Sequence, residues 1–335
     1  MISRKSSSAS TSGEAWIADA WSGPTLLLRL SSLGDVVLAT AAARLLHDRR
    51  PDLPIDVLTR RAYAPVWERA PGIREILVAE EAAAGEYRRV LDLQGGPKGR
   101  RAAARFAPGA RRIGYERAAW RRRWVVVWGR RAGGVEPLAV RFARALSGRT
   151  LRTVDVWPRV IPDPERQGML APELGDARWV VLAPGASRRL KAIPEPLVRS
   201  VTDRLLASGR GVIRLLEPGG PNGFVAGRGA ERAYRGSLGD VTALLSLAEG
   251  VIASDSGILH LATAVGKPAV GVFGPTAPEL GFSPLGRGRA IGVDLPCRPC
   301  HVHGPHRCWQ GHERCWREMS ATRIVEGWEE SLTHG

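Results

Sequence analysis

Short, almost unbroken apolar runs recur along this chain and are separated by segments of helical period. The runs lie at residues 25–30, 55–59, 75–79 and 89–94, and again at 179–183, 211–217, 250–254 and 269–274. Helical periodicity fills several of the gaps, at 36–48, 195–207, 241–249 and 258–265. A strand covered on both faces has no polar side to show, and alternation with helices forces βαβ crossovers, so the pattern predicts parallel sheets. It occurs twice. The expected fold is therefore α/β, with two doubly wound, Rossmann-like domains. Between the two sets, residues 154–176 hold Pro158, Pro162, Pro164 and Pro172; proline fixes φ and removes a donor, which reads as a linker. The organisation expected is a first domain at 25–157, a linker at 158–177, a second domain at 178–318, and a C-terminal helix at 319–335 packing back on the first domain. Such folds bind ligands outside the carboxyl ends of their strands, and a cleft between two of them is the default site.

A chain of 335 residues, 44% hydrophobic and 24% charged, can bury two cores, which excludes a disordered chain and a small disulfide scaffold. Lys and Arg exceed Asp and Glu by 49 − 33 = 16. That balance favours an anionic partner, whether substrate, membrane surface or nucleic acid. No zinc-finger, RRM or heptad signature accompanies it, so nucleic acid is not the expected partner. No apolar run reaches the length that spans a bilayer. Residues 1–24 are Ser-rich and lack the apolar core of a secretory signal, and read as a disordered leader on a cytosolic protein. Residues 100–131 are the most basic region, with Arg121, Arg122 and Arg123 between Trp120 and Trp124. This is either a solvated loop or a surface for anionic head groups, since Arg forks pair with phosphate and Trp favours the membrane interface.

Three segments after apolar runs carry polar chemistry. The first is Ser31-Ser32-Leu33-Gly34-Asp35, where Asp35 suits either a helix-capping acid or a carboxylate at a ligand mouth. It lacks the G-x-G-x-x-G spacing of a dinucleotide fingerprint. The second, Pro184-Gly185-Ala186-Ser187 followed by Lys191 and Pro194, can hold a phosphate through backbone N–H groups, a hydroxyl and an ammonium, but has no Walker ending. The third is Asp255-Ser256-Gly257 with His260 one turn on, either a capped helix with a buried histidine or a diphosphate site at a helix N-terminus.

Together with Gly274-Pro275-Thr276, the order and spacing of these segments resemble glycosyltransferase family 9, the ADP-heptose:lipopolysaccharide heptosyltransferases, over roughly residues 25–332. The resemblance implies a GT-B fold whose two Rossmann-like domains face a central cleft, and inverting, metal-independent transfer from a nucleotide diphosphate sugar. It implies Asp35 as general base, with Ser31, Ser32 and Gly34 in the acceptor loop, and Lys191 on the donor phosphates. Ser187, Glu217, Asp255, Ser256, Gly257 and His260 would bind the donor, Glu217 at the ribose. The family usually carries Trp before the proline that follows the lysine; here it is Ile193, which places different contacts beside the donor sugar. The expected activity moves a heptose or related sugar from an ADP-sugar to a lipid-linked lipopolysaccharide inner-core acceptor, at the inner face of the inner membrane. The alternatives are a family member acting on another surface polysaccharide and a non-catalytic sugar-nucleotide-binding protein.

All four cysteines, Cys297, Cys300, Cys308 and Cys315, fall in one segment with His301, His303, His306 and His312. Four soft ligands at this spacing suit a structural zinc that pins an irregular loop, or free thiols. No cofactor is expected for catalysis.

Overall fold

Most of the continuous apolar runs become strands buried on both faces; the one at 75–79 falls in a half-exposed edge strand. The computed structural model describes residues 15–227 and 229–333. Its first sheet comprises β1 (Thr25–Leu28), β2 (Ile55–Thr59), β3 (Ile73–Val78), β4 (Arg89–Asp92) and β5 (Arg111–Gly114), in the order β3-β2-β1-β4-β5 and parallel throughout. The second comprises β6 (Trp179–Ala183), β7 (Gly211–Leu215), β8 (Gly223–Ala226), β9 (Glu231–Arg235), β10 (Gly250–Ser254), β11 (Ala269–Phe273) and β12 (Gly288–Gly292). Its order is β12-β11-β10-β6-β7-β9-β8, parallel except for the β8–β9 hairpin at one edge.

The first half carries α1 (Leu33–Arg49), α2 (Gly96–Phe106), α3 (Ala119–Trp128) and α4 (Leu138–Ser147); α5 (Pro164–Leu174) follows. The second half carries α6 (Glu195–Ala207), α7 (Leu238–Leu247), α8 (Gly257–Ala264), α9 (Arg314–Arg317) and α10 (Ala321–Thr333). Alternation along β1 shows how the layers form. Leu26 and Leu28 pack with Phe106 of α2 on the outer face, while Leu27 joins α1 and α4 on the inner one. In β6, Val180 and Leu182 pack toward α6 and α10, whereas Val181 and Ala183 face inward with Leu259 of α8. The two inner faces share one continuous apolar core, in which α1, packed on α4 within the first half, lies against α8 of the second. Burying that core removes the water between the halves and is the main force holding them together.

Three expectations are corrected. The proline-rich stretch is irregular only over 156–163 and then forms a helix: Asp163 caps α5, its side chain accepting from Glu165 N at 3.1 Å, and Pro164 occupies the first turn, where a missing N–H costs nothing. The helix packs against α7. The C-terminal helix α10 packs on α6 and the second sheet, not on the first domain, because its apolar face, with Ile324 and Trp328 buried, completes the outer core of that sheet. The described end of the leader is ordered as well: Trp16, Ala18 and Trp21 are buried, and Arg50 Nη1 ties the turn down through the carbonyls of Asp19 (2.8 Å) and Trp21 (2.7 Å). Residues 1–14 of that expectation lie outside the described residues.

Candidate active site

Each sheet reverses its winding beside its first strand, between β1 and β4 in one half and between β6 and β10 in the other. Crevices for ligands open at such switch points, outside the strand ends. The segments singled out from sequence leave β1, β6 and β10 at these two places.

Past β1 the chain turns into α1, with Ser32 as N-cap and Asp35 at the third helical position. Asp35 Oδ2 accepts from Ser32 N at 3.4 Å and Ser32 Oγ at 3.3 Å, so the capping role is present. The same oxygen is paired with the buried Arg29 guanidinium, whose other arm donates to the Leu93 carbonyl beyond β4. Gln94 Oε1 accepts from Leu30 N and Ser31 N at 3.0 and 3.2 Å, which closes the switch point from the other side. Every hydrogen bond to this carboxylate goes to Oδ2, and Oδ1 has no partner among the described residues. A cap would need no buried arginine behind it. The arrangement fixes one oxygen and leaves the other for chemistry.

Across the cleft, the loop after β6 places Lys191 Nζ 2.9 Å from Asp255 Oδ2, both largely buried, and Thr276 Oγ1 donates to the same oxygen at 2.7 Å. Arg298 donates to the carbonyls of Phe273 (2.9 Å) and Thr276 (2.8 Å) and so fixes the turn after β11. Ser187 is exposed on this loop. The Glu217 carboxylate lies directly over Gly185, where a Cβ would come within 1.8 Å of Oε1, so only glycine admits it. Ile193 does not line the loop; it is buried in the outer core with Val180 and Leu182, its N–H bonded to the Pro184 carbonyl at 2.9 Å.

Ser256 caps α8, and its Oγ and His260 Nδ1 are buried polar atoms without a partner. Buried groups of this kind are rare in native proteins and suit a site that completes them with a ligand. The N-termini of α1 and α8 abut. A Cβ on Gly257 would lie 2.7 Å from Leu33 Cβ and 2.8 Å from Gly34 N, and one on Gly34 would lie 3.0 Å from His260 Cδ2. Glycine at both positions lets two positive helix ends meet, which concentrates positive potential in the cleft. Burial lowers His260 from its ordinary value against the pull of Asp255 and Asp35. His303 is likewise lowered by burial, then by Arg122. A histidine held neutral in the fold binds a proton more readily once unfolded, so its stabilising contribution is present above about pH 6.5 and is lost as pH falls below it. The thermal midpoint is expected to drop on acidification through that range, and His260→Gln to shrink the drop; an unchanged pH profile in the variant would remove His260 from the account.

The cysteine segment braces this site. Gly304, at φ +80°, lies over the Lys191 stem, Trp316 Nε1 donates to the Leu190 carbonyl at 2.7 Å, and the Cys300 N–H bonds to the Pro275 carbonyl at 2.9 Å. The four cysteines border a gap of about 10 Å³ with Leu190 and Pro275. Among the described residues no three His, Cys, Asp or Glu are grouped as metal ligands, so of the two expected readings the arrangement supports free thiols over a structural zinc. Burial, followed by the neighbouring thiols, pushes Cys300 up to about 12, and burial raises Cys315 to about 11, so both are neutral thiols.

The basic run is also divided by the fold. Arg122 turns inward, Nε donating to the Leu280 carbonyl at 3.0 Å and the guanidinium lying 4.4 Å from the Phe282 ring centroid; Arg121 and Arg123 are exposed. A cavity of about 730 Å³ between α3 and the edge of the second sheet, bordered by Val127, Trp128, Arg298 and Arg323, includes none of the donor-loop residues. Sequence reading missed Arg29, which pairs with Asp35 six residues on and reaches Leu93 64 residues away, Gln94, whose partners are 64 and 63 residues away, and Arg298, whose partners Phe273 and Thr276 are 25 and 22 residues away. Only the fold brings them in.

Comparison with known proteins agrees with this geometry. The profile of glycosyltransferase family 9 (heptosyltransferase) matches residues 81–307. The chain is similar to lipopolysaccharide heptosyltransferase 1 of Pseudomonas aeruginosa, 30% identical over 322 residues, covering 82% of this chain and 85% of that protein. Among solved structures it is similar to E. coli ADP-heptose lps heptosyltransferase II (18% identical, 92% of this chain and 98% of that one, TM-score 0.68). It is also similar to E. coli heptosyltransferase WaaC with ADP-2-deoxy-2-fluoro heptose (17%, 92% and 99%, TM-score 0.63). These likenesses support the GT-B architecture, and since the profile covers more than half of the sequence, the chain belongs to glycosyltransferase family 9, the heptosyltransferase family.

Proposed function

We propose that the chain is an inverting, metal-independent heptosyltransferase that moves heptose from ADP-heptose to a lipid-linked lipopolysaccharide inner-core acceptor. One observation carries this reading: a carboxylate with one oxygen held by Arg29 faces, across two abutting helix N-termini, a lysine seated in a phosphate-type loop. The acceptor hydroxyl attacks the anomeric carbon from the side opposite the diphosphate and its proton passes to Asp35 Oδ1. The bond from that carbon to the diphosphate oxygen breaks, ADP leaves with the electron pair, and the configuration inverts. Lys191 and the N–H groups of α8 neutralise the charge that grows on the leaving oxygen, the role a divalent cation plays in other transferases. Ser187, Ser256 and His260 hold the diphosphate and Glu217 the ribose, while Ser31, Ser32 and Gly34 line the acceptor side.

The name of the P. aeruginosa relative supports the acceptor class, and the ligand in the WaaC structure supports the donor. Among the described residues no helix is long and apolar enough to cross a membrane, so reaching a lipid-linked acceptor calls for contact from the surface, at the inner face of the inner membrane in this proposal. Radiolabel transfer from ADP-heptose to heptose-deficient lipopolysaccharide tests the reaction. ADP-heptose at 100 times its dissociation constant should add about 2.7 kcal/mol of stability. Stabilisation without transfer would instead favour another surface polysaccharide as acceptor, or a binding protein without turnover; neither stabilisation nor transfer would end the proposal.

A further inference from the structure

Helix α3 shows solvent a face that a chain folding for itself would cover. Its inward side is settled: Val125 packs with Ala118, Val135 and Leu280, and Arg122 bonds to Leu280. On the opposite side Trp120, Trp124, Val127 and Trp128 are 70%, 53%, 71% and 51% exposed. Their spacing, i, i+4, i+7 and i+8, aligns them in one stripe, and the Trp124 and Trp128 rings lie 5.5 Å apart. Three indoles at such exposure leave roughly 250–450 Å² of apolar surface in one stripe, comparable to the largest patch on a typical monomer, which is often functional.

The borders of the stripe say what covers it. At about 100° per residue, Arg121 falls on one side of the stripe and Arg123 on the other, both exposed, and no acid lies on the helix. An aromatic ridge between guanidinium groups matches the boundary of an anionic bilayer, where indoles sit at head-group depth and arginines reach phosphates. The net charge of +16 adds long-range attraction of the same sign. The helix is also placed for this task, because the inward Arg122 interacts electrostatically with Asp35. Arg122 faces the cleft, and the stripe lies on the opposite side of α3, its last turn, Val127 and Trp128, also bordering the cavity against the edge of the second sheet.

We infer that the Trp120/Trp124/Val127/Trp128 face of α3, flanked by Arg121 and Arg123, is an interfacial helix that seats the cleft on an anionic lipid bilayer. This deepens the proposed function by naming the surface through which a lipid-linked acceptor is reached, and it rests on that reading for its purpose but not for its measurement. Vesicles of phosphatidylethanolamine and phosphatidylglycerol, and of phosphatidylcholine alone, are sedimented with the full chain at about 0.1 and about 1 M salt, between which the Debye length falls from about 10 to about 3 Å. Wild type should bind the anionic vesicles. Trp120→Ser/Trp124→Ser/Trp128→Ser should bind at least about tenfold more weakly at either salt, because the lost contribution is apolar. Arg121→Ser/Arg123→Ser should bind about 30-fold more weakly at low salt and almost like wild type at high salt. Both should keep the wild-type unfolding midpoint; if the tryptophan variant does not, the arginine variant decides. Wild type that fails to sediment, or variants that sediment with it, would overturn the inference. Heptose transfer to a deacylated, water-soluble acceptor in the same preparations separates the two claims: its absence alongside normal vesicle binding counts against the enzyme reading, not the surface.

Discussion

Asp35→Asn should reduce turnover by about 10²–10⁴-fold while leaving ADP-heptose affinity within about a factor of two. The substitution keeps the size of the side chain and an oxygen that can still accept from Ser32, so the start of α1 is preserved. What it removes is the capacity to take a proton. The donor loops lie across the cleft and share no hydrogen bond with Asp35 among the described residues, which is why affinity and turnover should separate. Arg29 complicates the experiment, since its buried guanidinium loses an ionic partner and the fold should weaken by about 1–3 kcal/mol. Rates must therefore be measured well below the unfolding midpoint of the variant. Turnover like wild type under those conditions would reduce Asp35 to a helix-capping acid.

Much of this site is legible in the sequence because it is local. A run of apolar residues that ends in Ser31-Ser32-Leu33-Gly34-Asp35 already implies a strand, a turn and a helix mouth, and the fold delivers them in that order. The same holds for the loop after β6 and for the start of α8. Short strands at or near the sheet edges were not legible. In β5, Arg111, Arg112 and Gly114 remain exposed, and in β8 the consecutive Val225 and Ala226 are exposed, so neither shows the continuous apolar signature of a central strand. Pro164 misled for a different reason: proline opposes a helix interior but suits its first turn, and Asp163 before it is the start signal, while Pro172 is accommodated near the C-terminal end of α5.

Contacts far apart in sequence account for what remained hidden. Nothing near Lys191 announces that Gly304 will press on its stem, or that Trp316 will bond to the preceding carbonyl. The cysteine segment reads as a metal motif because soft side chains cluster in sequence, yet the fold uses the glycine and tryptophan within it. Arg122 shows the same limit. In a run of three arginines the helical period alone turns the middle one inward, and its role changes from surface charge to cleft wall.

Lys191→Ala should lower turnover by about 10²–10³-fold and weaken ADP binding, while adenosine binds as it does to wild type. The contrast between these two ligands tests charge against shape, because adenosine keeps the base and ribose contacts and lacks the diphosphate. The ammonium is held by Asp255, so a donor must draw it away from, or share it with, that carboxylate. Removing the lysine leaves Asp255 largely buried, with the 2.7 Å hydrogen bond from Thr276 as its remaining side-chain partner among the described residues, and should lower the unfolding midpoint as well. Lys191→Arg restores a cation but spreads it over a planar fork, and the stem must still pass beneath Gly304, where a Cβ would already lie 2.6 Å from Lys191 Cγ. Arginine should therefore recover part of the ADP affinity and little of the turnover. Equal affinity for ADP in wild type and Lys191→Ala, measured by calorimetry, would mean that the diphosphate does not lie against this loop.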